Sequence, residues 1–177
     1  MIFAIRIVCL LIFCSLCGCS CSQNKQKITN NPDLTFETYI EMNKKRVGEE
    51  QKKIEKFIKD KNLSMERTET GLWYNISEEG AGEFITKGRI VTIGYSVRLF
   101  DGTLIYSSDK YGTKEFLVGQ GGVETGLEEG ILMLKKGSKA FFIMPPHLAH
   151  GLMGDDNKIP SRAILLYNVE VIDIKNN

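Results

Sequence analysis

Apolar and polar positions change their spacing along the chain, and each change marks a different kind of element. Arg6 opens a run, IVCLLIFCSLCG, of about twelve apolar or small residues. That length suits the h-region of a secretory signal and is too short to span a bilayer. Residues 20–35, SCSQNKQKITNNPDLT, are polar, hold Pro32 and lack periodicity, as expected of a flexible tether. Residues 36–62 are charged and helix-forming, with Glu49–Lys53 and Glu55–Lys59 at the favourable i,i+4 spacing, and predict a helix. Its apolar residues Ile40, Val47 and Ile54 recur every seven positions, but Asn43 and Glu50 between them are polar, so the stripe is too thin for a self-sufficient coiled coil. Two readings stay open: the helix docks a narrow face on its own domain, or it is an arm that pairs two copies of the chain. Gly48 in mid-helix weakens the second by about 1 kcal/mol relative to alanine.

Beyond residue 62 the period shortens to two. In GRIVTIGYSVRLF, Val91, Ile93, Tyr95, Val97 and Leu99 alternate with Ile90, Thr92, Gly94, Ser96 and Arg98, which predicts a strand with one apolar face. Asp101-Gly102 then leads into TLIYSS, the signature of a tight hairpin. Residues 123–137, VETGLEEGILMLKKG, carry one short helix: Thr125 and Glu128 have capping-box spacing, Lys135 and Lys136 suit its end, and Gly137 stops it. Val123, Leu127, Ile131 and Leu134 fall on one stripe that must be buried. Two apolar strands, SKAFFIM and RAILLYNVEVIDI, complete an α+β fold, an antiparallel sheet with a helix packed on one face.

Composition narrows the function. At 177 residues and 42% hydrophobic content the chain accommodates one ordinary domain with short appendages. Net charge is +1, and because the first eighteen residues hold one arginine and no acid, the remainder carries 22 side chains of each sign. This balance argues against nucleic acid as a partner. The cysteines sit at 9, 14, 17, 19 and 21, so the body has no thiol for a disulfide or metal site. Leu16-Cys17-Gly18-Cys19 resembles the lipobox of bacterial lipoproteins, which implies cleavage before Cys19 and lipidation of its sulfur. Cleavage before Cys21 would place Gly18 where an aliphatic residue is usual. A metal knuckle within CGCSC has no second ligand pair in the body to complete it.

Other chemistries fit poorly. GQGGVETG invites a phosphate-loop reading, but the third glycine of G-x-G-x-x-G would fall on Glu124, and acids open the helix that follows. His147 and His150, in PPHLAHG, lie at a metal-ligand spacing, yet Pro145-Pro146 and Gly151 favour irregular backbone, and only Asp155 and Asp156 lie nearby. No G-x-S-x-G elbow marks a nucleophile. What remains is an aromatic-rich body, with Trp73, Tyr74, Tyr95, Tyr106, Phe116, Phe141, Phe142 and Tyr167. It fits either a binding module or an enzyme whose chemistry needs only an apolar pocket.

The order GYSVRLFDGTLIYSS, FLVGQGGVETGLEEGILMLKKGSKAFFIMPPHLAHG and IPSRAILLYNVEVIDI resembles the FKBP-type peptidyl-prolyl cis/trans isomerases over roughly residues 69–175. With the signal, lipobox and charged helix, the chain also resembles envelope-anchored FKBP-type lipoproteins, most closely the gliding-motility-associated branch. The resemblance implies a half-open antiparallel β-sheet wrapped on one short helix, with a prolyl pocket between them and no metal, cofactor or covalent intermediate. With the patterns read above, the expected domains are 1–18 (signal), 19–35 (tether), 36–62 (charged helix) and 66–177 (isomerase). Tyr95, Tyr106, His150 and Tyr167 then take the catalytic positions, and Ile105, Phe116, Val123, Glu124 and Leu127 the substrate-binding ones. Glu124 stands where a backbone N–H bonds a ligand carbonyl. Leu127 replaces a tryptophan floor, Ile105 an aromatic, Tyr106 an aspartate and His150 a tyrosine, while His147 is a solvated loop residue. The implied partners are proline-containing polypeptides and, through the lipid on Cys19, a membrane, in a periplasm-facing outer-membrane location. The 36–62 helix is the route to a homodimer. The competing expectation is a non-catalytic chaperone or assembly module of an envelope machinery.

Overall fold

The computed structural model describes residues 36–177, and residues 40–177 form one compact unit. The expected signal, tether and Cys19 lie outside the described residues. Helix α1 (Phe36–Asp60) leads into the strands β1 (Glu66–Arg67), β2 (Trp73–Glu78), β3 (Arg89–Leu99) and β4 (Leu104–Ser107). Next come a one-turn helix α2 (Ser108–Tyr111), strand β5 (Lys114–Leu117), helix α3 (Thr125–Ile131) and strand β6 (Lys139–Met144). A 3-10 turn (Pro146–Leu148) and a long loop then precede β7 (Leu165–Asn176). All pairings are antiparallel, in the order β1-β2-β6-β7-β3-β4, with β5 also paired to β3.

The long strand β3 organises this sheet. One edge pairs with β7 along its whole length, while the other pairs with β5 in its first half and β4 in its second. Its alternation is the one read from the sequence: Val91, Ile93 and Val97 are buried, with Tyr95 and Leu99 half-buried. The β3–β4 hairpin closes at Asp101-Gly102. Gly102 takes a φ of 93°, which a side chain would resist, and the Thr103 N–H donates to Asp101 Oδ1 at 2.8 Å.

Helix α3 supplies Leu127 and Ile131, and the turn after it Leu134. All three are fully buried against Phe142, Met144, Tyr167 and Val169 of the sheet. Burial of each such side chain stabilises the fold by about 1.5–3 kcal/mol. The helix differs from its sequence expectation at both ends. It is capped at Glu124 rather than Thr125, and it ends at Ile131, well before Gly137. The Glu128 carboxylate does not reach back to the cap. It accepts the amides of Gly119 and Gly121 at 2.6 and 3.2 Å, because the glycine loop folds over the helix and brings its N–H groups closer.

Helix α1 covers the opposite face of the sheet. Ile54 is 1% exposed and packs with Ile143, Ile164 and Leu166, flanked by Phe57, Ile58, Trp73 and Phe100. Of the seven-residue stripe only Ile54 is buried; Val47 is 45% exposed. A Glu50–Arg162 ion pair ties the helix to the loop before β7. The helix ends as a Schellman motif: Asn62 at φ 51° donates to Lys59 O, and Leu63 N–H donates to Ile58 O. Docking on its own domain is therefore what this half of α1 does.

Candidate functional site

The site forms where the start of α3, the loop after β6 and the inner face of the sheet converge. Glu124 precedes α3 with φ −59° and ψ 141°, and its side chain makes no capping bond. Instead it turns inward, 8% exposed, and reaches across to two other elements. Its Oε1 accepts from the Tyr167 hydroxyl of β7 at 3.2 Å and from His150 Nε2 at 3.3 Å. Since a carboxylate oxygen accepts, Nε2 carries the hydrogen in this arrangement. Oε2 is buried without a hydrogen-bond partner, and Lys114 Nζ stands 3.9 Å from it.

Beneath this group lie the two sheet tyrosines. Tyr167 is fully buried, and its ring is 6.4 Å from that of Tyr95 on β3. Burial, and then the negative charge and hydrogen bond of Glu124, push the Tyr167 hydroxyl far above its ordinary pKa, so it acts as a donor. Burial and Glu124 raise Tyr95 as well, with a smaller contribution from Tyr111. The Lys114 ammonium sits 5.4 Å over the Tyr95 ring. Beside the Glu124 carboxylate, which separates it from Tyr167, a cleft of ≈ 360 Å³ opens between Lys114 on one side, Val123, Glu124 and Thr125 on another, and Ala149 and His150 on the third. Among the described residues no hydrogen bond uses the backbone N–H of Glu124.

A second polar cluster fixes the loop that carries His150. The Tyr106 hydroxyl of β4 donates to Asp155 Oδ2, while Asp155 Oδ1 accepts the amides of Asn157, Lys158 and Ile159 at 3.0, 2.8 and 2.7 Å. Partial burial opposes the charge on Asp155, but these four hydrogen bonds together outweigh it and hold the carboxyl at about 2. In return the Asp155 bond, with burial, pushes Tyr106 up to about 12. Lys158 donates to Tyr111 at 2.7 Å, which lowers that phenol, and its ammonium lies 5.3 Å from both tyrosine rings.

The structure thus brings Tyr95, Tyr167, Val123, Glu124 and His150 together. It places the other residues singled out in the sequence around them. Tyr106 is committed to Asp155, Ile105 is half-buried against the main core, and Leu127 lies wholly inside it. Phe116 is 8% exposed and opposite Val91, a core residue in this arrangement. Lys114, two positions earlier on β5, reaches the cleft instead, and period-two alternation from Phe116 was the signal for it. The two histidines diverge. His147 is exposed and bonds Thr70 O at 2.9 Å, whereas His150 faces Glu124.

An antiparallel sheet wrapped on one short helix, with a cleft at that helix's start whose Glu124 side chain bonds a buried sheet tyrosine, fits the class of prolyl-isomerase-like domains. The model of the FKBP-type peptidyl-prolyl cis-trans isomerases matches residues 81–172, a span that holds Tyr95, Lys114, Glu124, His150 and Tyr167, and the chain belongs to that family. It is 39% identical over 124 residues to the FKBP-type peptidyl-prolyl cis-trans isomerase FkpA of Buchnera aphidicola, covering 70% of this chain and 48% of the relative. It is 34% identical over 112 residues to FK506-binding protein 2 of Yarrowia lipolytica, covering 63% of this chain and 78% of that protein. Among solved structures it resembles FkpA from Escherichia coli with a TM-score of 0.64 at 33% identity, over 78% of this chain and 64% of the other. The chain spans about half the length of the first curated relatives it matches.

Proposed function

We propose that the protein is a peptidyl-prolyl cis/trans isomerase acting on X–Pro bonds of exported or envelope proteins, with the cleft between Lys114, Val123, Glu124 and His150 as its site. The observation that carries this reading is the convergence of Val123, the unused Glu124 amide, Ala149 and His150 around one cleft, within the segment that matches the family. Rotation about a peptide bond faces about 18–20 kcal/mol because the C–N bond has partial double-bond character. Unaided X–Pro isomerisation takes roughly tens to hundreds of seconds. At 90° of twist the amide loses resonance and much of its charge separation. A site that removes water from the carbonyl and favours the twisted geometry lowers the barrier with no nucleophile. A millionfold acceleration corresponds to about 8 kcal/mol. In this reading the Glu124 N–H would hold a substrate carbonyl while Val123 packs against the ring; the support is that this amide makes no other hydrogen bond among the described residues.

The same reading puts the protein in the cell envelope. Cleavage before Cys19 and lipidation of that residue would anchor it, residues 20–35 would lift the domain from the surface, and the gliding-motility-associated lipoproteins would be its branch. The support is the order of charge and apolar runs in the first 35 residues. A homodimer through α1 would rest on the exposed Val47 and Met42 of its first half.

A second reading, a non-catalytic module that recognises proline segments, is favoured by one observation: the Glu124 carboxylate and its partners make the floor of the cleft polar. Protease-free measurement of cis-to-trans conversion in X–Pro peptides separates the two. Acceleration by micromolar protein supports the isomerase. No acceleration, together with retained binding of proline peptides, establishes the second reading in its place.

A further inference from the structure

We propose that the Glu124 side chain is a latch over the prolyl site, one that must turn out of the cleft before a proline ring can enter. The inference rests on the isomerase reading and concerns control of that same site. The carboxylate reaches from the start of α3 to the hydroxyl of a fully buried tyrosine on β7 and to a loop histidine, and so lies in the space those three elements enclose. An apolar pyrrolidine and a desolvated carboxylate cannot share that space, because the ring would strip the acid of its remaining polar neighbours.

The closed arrangement is held by a small margin. Its two hydrogen bonds, at 3.2 and 3.3 Å, are longer than the roughly 2.5–2.9 Å usual when a carboxylate accepts. Oε2 is buried with no hydrogen-bond partner, and Lys114 at 3.9 Å, drawn over the Tyr95 ring, supplies charge but no hydrogen bond. A buried acceptor left unpaired opposes its own burial. Rotated outward, the carboxylate regains water at the mouth of the open cleft. Opening leaves the backbone amide in place, so the carbonyl-binding group is present in both states. The latch therefore sets how readily substrate enters, and an apolar side chain at 124 gives a permanently open, drier floor.

The test measures kcat/KM for an X–Pro tetrapeptide and, independently, binding of a proline peptide by amide chemical shifts, for the full protein and three variants. Glu124→Ala is expected to raise kcat/KM about tenfold or more, chiefly through KM, and to tighten peptide binding in parallel. Tyr167→Phe, which removes one latch donor and keeps the ring, is expected to move both in the same direction by a smaller factor. Glu124→Gln, which keeps the shape and can still accept from Tyr167, is expected to stay within about threefold of the parent. If the parent isomerises and Glu124→Ala leaves rate and binding unchanged or weaker, the latch is refuted while the isomerase stands. If neither protein isomerises, the isomerase reading fails. The latch then survives only if Glu124→Ala gains peptide binding, and is overturned if no peptide binds.

Discussion

Tyr106 and Asp155, from the β4 strand and the loop before β7, share a hydrogen bond that spans 49 residues of sequence and fastens the His150 loop to the sheet. Together with the amides of Asn157, Lys158 and Ile159, this bond favours the charged form of Asp155, whose carboxyl is held at about 2 against an ordinary 3.8. A depressed folded-state pKa contributes stability that is fully present above the unfolded value and is lost as pH falls through the folded one. Asp155→Asn is therefore expected to lose about 1–2 kcal/mol at pH 7, after allowance for partial exposure. The gap between parent and variant should close between about pH 4 and pH 2. Urea unfolding across that range measures it, and a gap that stays constant with pH contradicts the assignment.

Gly130 sets how closely α3 approaches the sheet. A Cβ there would lie 2.6 Å from Phe142 Cζ. Glycine to alanine inside a helix normally stabilises by about 1 kcal/mol. Overpacking a tight core costs about 1–3 kcal/mol, and the clash wins. Gly130→Ala is expected to lower the unfolding free energy, and an increase would show that helix and sheet separate easily.

Docking of α1 rests on Ile54. Ile54→Ala is expected to cost about 2–4 kcal/mol, since the side chain is almost wholly buried between helix and sheet. Val47→Ala, seven residues earlier on the exposed half of the helix, should stay within about 0.5 kcal/mol for the isolated domain. If Val47→Ala destabilises at high protein concentration and not at low, the exposed half of α1 pairs with a second copy.

His147 and His150 differ in what they touch. His147→Ala removes one exposed hydrogen bond to Thr70 and is expected to cost at most about 1 kcal/mol. It should leave isomerisation unchanged, as it lies outside the cleft. A clear loss of rate in that variant would move the site toward the α1 side of the loop.

Strand β3, the Asp101-Gly102 hairpin and helix α1 were legible in the sequence because each is fixed by local pattern: alternation, a turn that needs positive φ, and closely spaced helix formers. The cap of α3 was not. Thr125 and Glu128 have capping-box spacing, but whether Glu128 turns back depends on the glycine loop at 119–122, whose amides offer the better partners. The side-chain direction of Glu124 depends on Tyr167 and His150, which sequence distance separates from it. Phe116 and Lys114 share one face of β5; the first is 8% exposed within the core and the second lines the cleft, a difference set by side-chain length and neighbours that alternation alone does not specify. The long-range partners Asp155 and Arg162 had no local signal at all.

Proline binding between the start of α3 and the His150 loop is the claim on which the functional account stands. Amide chemical-shift mapping with a proline-containing peptide tests it most directly. The largest changes are expected at Val123, Glu124, Ala149 and His150. Changes centred instead on the outer groove of ≈ 300 Å³ lined by Ser96, Phe141 and Asn168 would contradict the account.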